Sequence, residues 1–152
     1  MATFNSTTAA AQIAAEADVS KRVNGDPVNG RVHVAASTWV KSATEVQNDL
    51  IMVAKLPGGA IFLPHLSRAA FEVDDSQATG KYVAINAAGS EVDLSGSYTT
   101  TVINAGPGAP GIPTAIPVDE DGQTVVYWKH DAYVGAPGNG EELQFAIAYA
   151  LS

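Results

Sequence analysis

The sequence has 152 residues, a formal net charge of −8 and no cysteine. That length fits one domain around one core. The missing cysteine excludes disulfides, thiolate metal sites and a cysteine nucleophile. With 8 Lys and Arg against 16 Asp and Glu, the chain lacks the concentrated cations that nucleic-acid binding requires. Charged residues make up 16%, against roughly a quarter in typical soluble domains. A surface so short of charge is expected to be covered in part by something else. The 14 Gly and 8 Pro turn the chain too often for a coiled coil.

Residues 1–28 read as an N-terminal arm. They hold no basic region followed by an apolar run, so no signal peptide is expected. Thr7 or Thr8 would cap a possible short helix reaching Ala17, with Gln12, Glu16 and Asp18 on its polar side. Ile13 is that helix's one large apolar residue, so in isolation it would bury little. Such an arm is expected to order against a partner. The cluster Asn-Gly-Asp-Pro-Val-Asn-Gly at 24–30 marks the boundary to a domain over 29–152.

From Arg31 the pattern is β. Val32 and Val34 alternate with His33 and Ala35. Leu50 to Ala54 is apolar on both faces, which predicts a central strand, and Pro57-Gly58-Gly59 supplies the turn after it. Ala60–Leu63 and Ala69–Val73 are further candidates, followed by Lys81–Ile85 after a turn at Gly80. Tyr98–Ile103 is β-branched, and Thr124–Lys129 ends beside His130, read as an exposed strand end. In the last run Leu143, Phe145, Ile147 and Tyr149 share one face, while Gln144, Ala146, Ala148 and Ala150 share the other. That small-residue face admits close approach by another backbone. Eight or nine short strands between turn clusters predict an all-β fold, an antiparallel sandwich or jelly roll. No stretch reaches about 18 uninterrupted apolar residues, so no transmembrane helix and no membrane partner is expected.

Motifs for chemistry fail on context. Gly106-Pro107-Gly108-Ala109-Pro110-Gly111 matches G-x-G-x-x-G, but Pro110 and Pro113 obstruct the helix whose N-terminus would receive a pyrophosphate. It reads as a stiff loop, continuing through Pro117, and ordered loops on β scaffolds carry contacts. Asp119-Glu120-Asp121-Gly122 has calcium-type ligands without the spacing of a calcium loop, so an acidic turn is the simpler reading. His33, His65 and His130 are far apart, and no G-x-S-x-G elbow supports a serine nucleophile. No catalytic residue, cofactor, metal site or small-molecule substrate is assigned. Trp39, Trp128 and Tyr133 could form an aromatic platform for sugar, against the commoner role of such residues in a core or subunit contact.

Asn29-Gly30-Arg31-Val32-His33-Val34, the run Asn48 to Leu63 with its Lys55-Leu56-Pro57-Gly58 strand end, and Gly80-Lys81-Tyr82-Val83 resemble small virion structural proteins of tailed bacteriophages. Gly58 stands where a second basic residue is common in those proteins. The resemblance implies a capsid decoration or cement protein, a β-sandwich and often a homotrimer, bound to the major capsid protein on the capsid exterior. It carries no catalytic residue. On that reading Phe4 and Ile13 of the arm, with Pro107, Pro110, Ile112 and Pro113 of the loop, are candidate capsid contacts. Trp128, Ala146, Ala148 and Ala150 are candidate subunit contacts. The competing expectations are another virion role (head fibre base, tail tube or head–tail completion) and a carbohydrate-binding sandwich.

Overall fold

A computed structural model describes residues 1–6, 10, 13, 32–42, 46–71, 77–102, 108–134 and 139–151. In chain order its strands are β1 (Thr3–Asn5), β2 (Val32–Val40), β3 (Leu50–Leu56), β4 (Ala60–Phe62), β5 (Arg68–Phe71), β6 (Gln77–Ile85), β7 (Glu91–Asp93), β8 (Tyr98–Thr99), β9 (Thr101–Val102), β10 (Thr114–Ala115), β11 (Thr124–Val134) and β12 (Glu142–Leu151). They form two sheets packed face to face. The first runs β1-β3-β11-β6-β7, with β8 also on β6. The second runs β10-β4-β12-β5-β9, with β2 also on β12. Most pairs are antiparallel; β1–β3 and β5–β9 are parallel. This is the all-β sandwich that the turn spacing predicts.

The period of two explains the core. Ile51, Val126, Trp128 and Tyr82 point inward from the first sheet, and Phe62, Phe71, Leu143, Phe145 and Ile147 from the second. Tyr82 lies at the centre, with ring centroids 5.2 Å from Trp128 and 5.3 Å from Phe62. Its hydroxyl donates across the sandwich to the Arg68 carbonyl at 2.8 Å, so the polar end of a buried ring is satisfied. β3 lies between β1 and β11 with Ile51, Val53 and Ala54 at 0% exposure, as a central strand should.

β12 organises the second sheet. β2 pairs along one side of it from Glu142 to Ala150. On its other side β5 and β4 follow each other, separated by a 3-10 turn at Pro64–Leu66. Where the turn interrupts the ladder, Leu63 N donates to Ala148 O, and the buried Ser67 hydroxyl accepts from Ala148 N at 2.9 Å. A serine side chain thus stands in for a missing backbone group.

Several expectations are corrected. Gly80 is no turn but sits inside β6, where a Cβ would collide with the Lys129 carbonyl and the Trp128 ring. His130 is no exposed end: it is 3% exposed, and β11 continues past it through an irregularity in its pairing with β6 between His130 and Ala132. The predicted strand at 98–103 divides into β8 and β9, one in each sheet. Thr100 between them takes over the Ala78 pairing, its N donating to Ala78 O and its hydroxyl accepting from Ala78 N. The first residues of the expected arm belong to the sandwich. β1 is an edge strand, Phe4 packs on Trp39 at 4.9 Å, and Ser6 is fully buried. Ala10 N donates to Ser6 O, a helical link, and Ile13 is helical too; the other residues of the expected helix, and the 24–30 boundary, lie outside the described residues.

Candidate functional site

The two outer faces of the sandwich differ in chemistry. On the first sheet, Lys129 of β11 and Lys81 of β6 face out toward β7. Lys129 pairs with Glu91 and Lys81 with Asp93, each at 2.7 Å. Tyr127 also faces out, and burial together with the Asp119 charge raises its phenol above the ordinary value. Near Lys81 and Lys129 a polar cavity of about 250 Å³ is lined by Asn48, Ser97, His130 and Asp131 as well. Both lysines are already paired with carboxylates, and Asp131 accepts from Gln47 and Thr79. Among the described residues no three His, Asp or Glu side chains gather around one point.

The second sheet presents the opposite surface. The β12–β2 register puts Ala146 beside Ala36, Ala148 beside Val34 and Ala150 beside Val32. Alternation turns these outward, while Leu143, Phe145 and Ile147 turn inward. Val32 is 54% exposed, Val34 63% and Val40 50%. Ile61 of β4 and Ala70 of β5 continue the same face, half-buried, and Leu66 is exposed beside it. Arg68 and Glu142 are the charged residues that β2, β4, β5 and β12 place on it. This face is thus apolar and sparsely charged, in contrast to the ion-paired outer face of the first sheet.

The expected subunit contacts therefore separate. Ala146 and Ala150 lie half-buried on this outer face. Ala148 shares it but is 1% exposed, where the 3-10 turn meets the strand. Trp128 is 0% exposed in the core, because its strand alternation turns it inward against Tyr82, and it offers no surface to another subunit. The sugar platform loses Trp128 for the same reason. Trp39 is occupied by Phe4, and Tyr133 lies under Lys41 at 4.9 Å. Val32, Val34 and Val40 are surface residues that the sequence alone does not assign. The alternation at 32–35 signals two faces, but alternation alone does not say which set faces in.

The proline loop forms a second feature, at the end of the sandwich. Its described part begins at Gly108, where a side chain would collide with the His65 carbonyl. Ala109 N donates to Ser67 O, Pro110 O accepts from Gly96 N, and Ile116 N donates to Ala60 O. The loop is thus tied to both sheets at 2.8–3.0 Å. Between these ties Pro110, Ile112 and Pro113 are exposed, Ile112 at 77%. Pro107 lies outside the described residues. Ile13 is 39% exposed, whereas Phe4 is half-buried inside the fold. The acidic turn is self-contained: Asp119 Oδ1 accepts from the backbone of Asp121 and Gln123.

No protein-family model matches the sequence, and no curated protein sequence matches it. Solved structures do. A chain of the cyanophage Pam1 capsid asymmetric unit superposes with a TM-score of 0.50 at 19% identity, covering 86% of this chain and 92% of that one. A chain of the capsid of Ralstonia phage GP4 superposes with a TM-score of 0.50 at 15% identity, covering 99% of each. At these identities the likeness is one of fold, and it spans the whole sandwich.

Proposed function

We propose that the chain is a non-enzymatic bacteriophage virion protein that decorates the outside of the capsid lattice and stabilises the head. The observation that carries the reading is the shared fold, over 99% of both chains, with a constituent of the Ralstonia phage GP4 capsid. The surface chemistry supports it. A decoration protein works through buried area and repeated weak contacts, not through a pocket. Here the apolar outer face of the second sheet is the candidate for self-association as a homotrimer, through Val32, Val34, Ala146 and Ala150. The exposed Ile112, held on a loop tied to both sheets, is the candidate contact to the major capsid protein, with Pro110 and Pro113 beside it. The net charge of −8 suits the outer surface of a DNA-filled shell, and the protein would be made in the host cytoplasm. The reading is tested by mixing purified protein with undecorated capsid shells and sedimenting them. Saturable binding at a fixed copy number per capsid subunit is expected, and Ile112→Ser should reduce it without lowering the melting temperature. Shells that sediment without the protein refute the reading.

A further inference from the structure

We infer that β1 is an exchangeable strand, and that the slot it fills along β3 accepts residues 2–6 of a second copy of this chain. The slot is built for this segment at every step. Asp49 Oδ1 accepts from Ala2 N at 2.8 Å, Leu50 N donates to Ala2 O, and Thr3, Phe4 and Asn5 pair in parallel with Leu50, Ile51 and Met52. Phe4 lies against Trp39 of β2, Ser6 N donates to Met52 O, and the Ser6 hydroxyl donates to Val53 O. All these partners lie at or beyond residue 39, so the same contacts form whichever chain supplies the strand.

The connection favours a choice of supplier. The chain leaves β1 at Ser6, beside Val53, and re-enters at Val32, opposite Ala150, which pairs with Ile61 just past the β3–β4 turn. Both points lie toward one end of the sandwich. Counting only the steps from Ile13 to Val32, beyond the helical residues, the connection has a contour of up to about 65 Å at ~3.3–3.6 Å per residue, whereas β12, at 10 residues, is only about 34 Å long. The tether far exceeds the span it must close in its own copy, so its length does not bind β1 to the slot of its own chain. Exchange of an identical element is a low-cost route to association, because it forms no new contact type.

The chain has no cysteine, so engineered thiols report cleanly. Asn5 and Met52 are register partners on adjacent strands, a separation of ~4.8 Å that suits a disulfide. Chains carrying Asn5→Cys alone are co-refolded with chains carrying Met52→Cys alone and oxidised. Exchange predicts a covalent heterodimer as the main product, far above either variant oxidised by itself. It also predicts covalent multimers from the double variant Asn5→Cys/Met52→Cys. A double variant that runs only as an internally bridged monomer, with no heterodimer in the mixture, overturns the inference. Phe4→Ala gives a second readout should the thiols disturb the edge. Exchange predicts weaker association in a concentration series; unchanged association with a lower melting temperature counts against it. The experiment needs no capsid, so its failure is separate from failure of the virion reading.

Discussion

Val34→Lys tests whether the apolar face of the second sheet is an interface. Full burial of a valine stabilises by about 1.5–3 kcal/mol. Val34 keeps 63% of its surface exposed in the single chain, so about 1–2 kcal/mol of burial remains to be gained in each copy. A lysine there forfeits that gain and adds an ammonium that must leave water on association. Since ~1.4 kcal/mol is a factor of ten, self-association should weaken by roughly tenfold or more per contact. The folded single chain should hardly notice, because changes at exposed sites stay within about 0.5 kcal/mol. Sedimentation equilibrium over a concentration series measures the association, and a thermal melt on the dilute protein measures the fold. Asp93→Asn, on the ion-paired face, is the control and should leave association unchanged. A Val34→Lys chain that associates with the wild-type constant refutes the assignment of this face.

Three further expectations concern the core and the edge. Gly80→Ala places a methyl group against the Trp128 ring and the Lys129 carbonyl. Denaturant unfolding should show a loss of about 1–3 kcal/mol as the strand shifts to accommodate it. Tyr82→Phe removes the hydroxyl that joins the sheets through Arg68 O and should cost about 0.5–1.5 kcal/mol in the same assay. Asp49 is buried, and the Ala2 and Val46 N–H groups hold its carboxyl below the usual 3.8. Its folded value lies under its unfolded one, so its stabilisation is complete above the unfolded value and is lost as pH falls through the folded one. Unfolding free energy should therefore decline on acidification in that window, and Asp49→Asn should flatten the decline.

The strands that announced themselves were the ones with side chains for both faces. β3, β11 and β12 were legible because their alternation or continuous apolar character is a packing requirement, and packing decides their place. β1 was illegible because three residues carry no period; its place is set by Asp49 and Val53, which follow it by more than forty positions. β7 was missed although Asn86 signals its turn, accepting from Ala88 N and Ser90 N, with Gly89 at φ 78°. The small-residue face of β12 could be read from spacing. That Val34 and Val32 complete it could not, because the β2–β12 register joins residues more than a hundred positions apart. Trp128 was ambiguous for a related reason: an aromatic on a strand packs inward or meets a partner, and the lack of room at Gly80 decides for the core.

The low charge content is divided unevenly between the two outer faces. A sandwich has only two faces to hydrate. On the first, Lys81, Lys129, Glu91 and Asp93 are matched as ion pairs, so covering it would strip water from four charged groups at a cost of several kcal/mol per ion. On the second, Val32, Val34 and Val40 meet water with few charges among them, so covering it costs little and gains the hydrophobic term. Of the two faces, the second is therefore the less costly to cover. Ile112 extends the same logic at the end of the sandwich, since the ties through Gly96, Ser67 and Ala60 hold an apolar side chain in water. Its loop is already fixed in place, so docking it loses less conformational freedom than docking a free segment would.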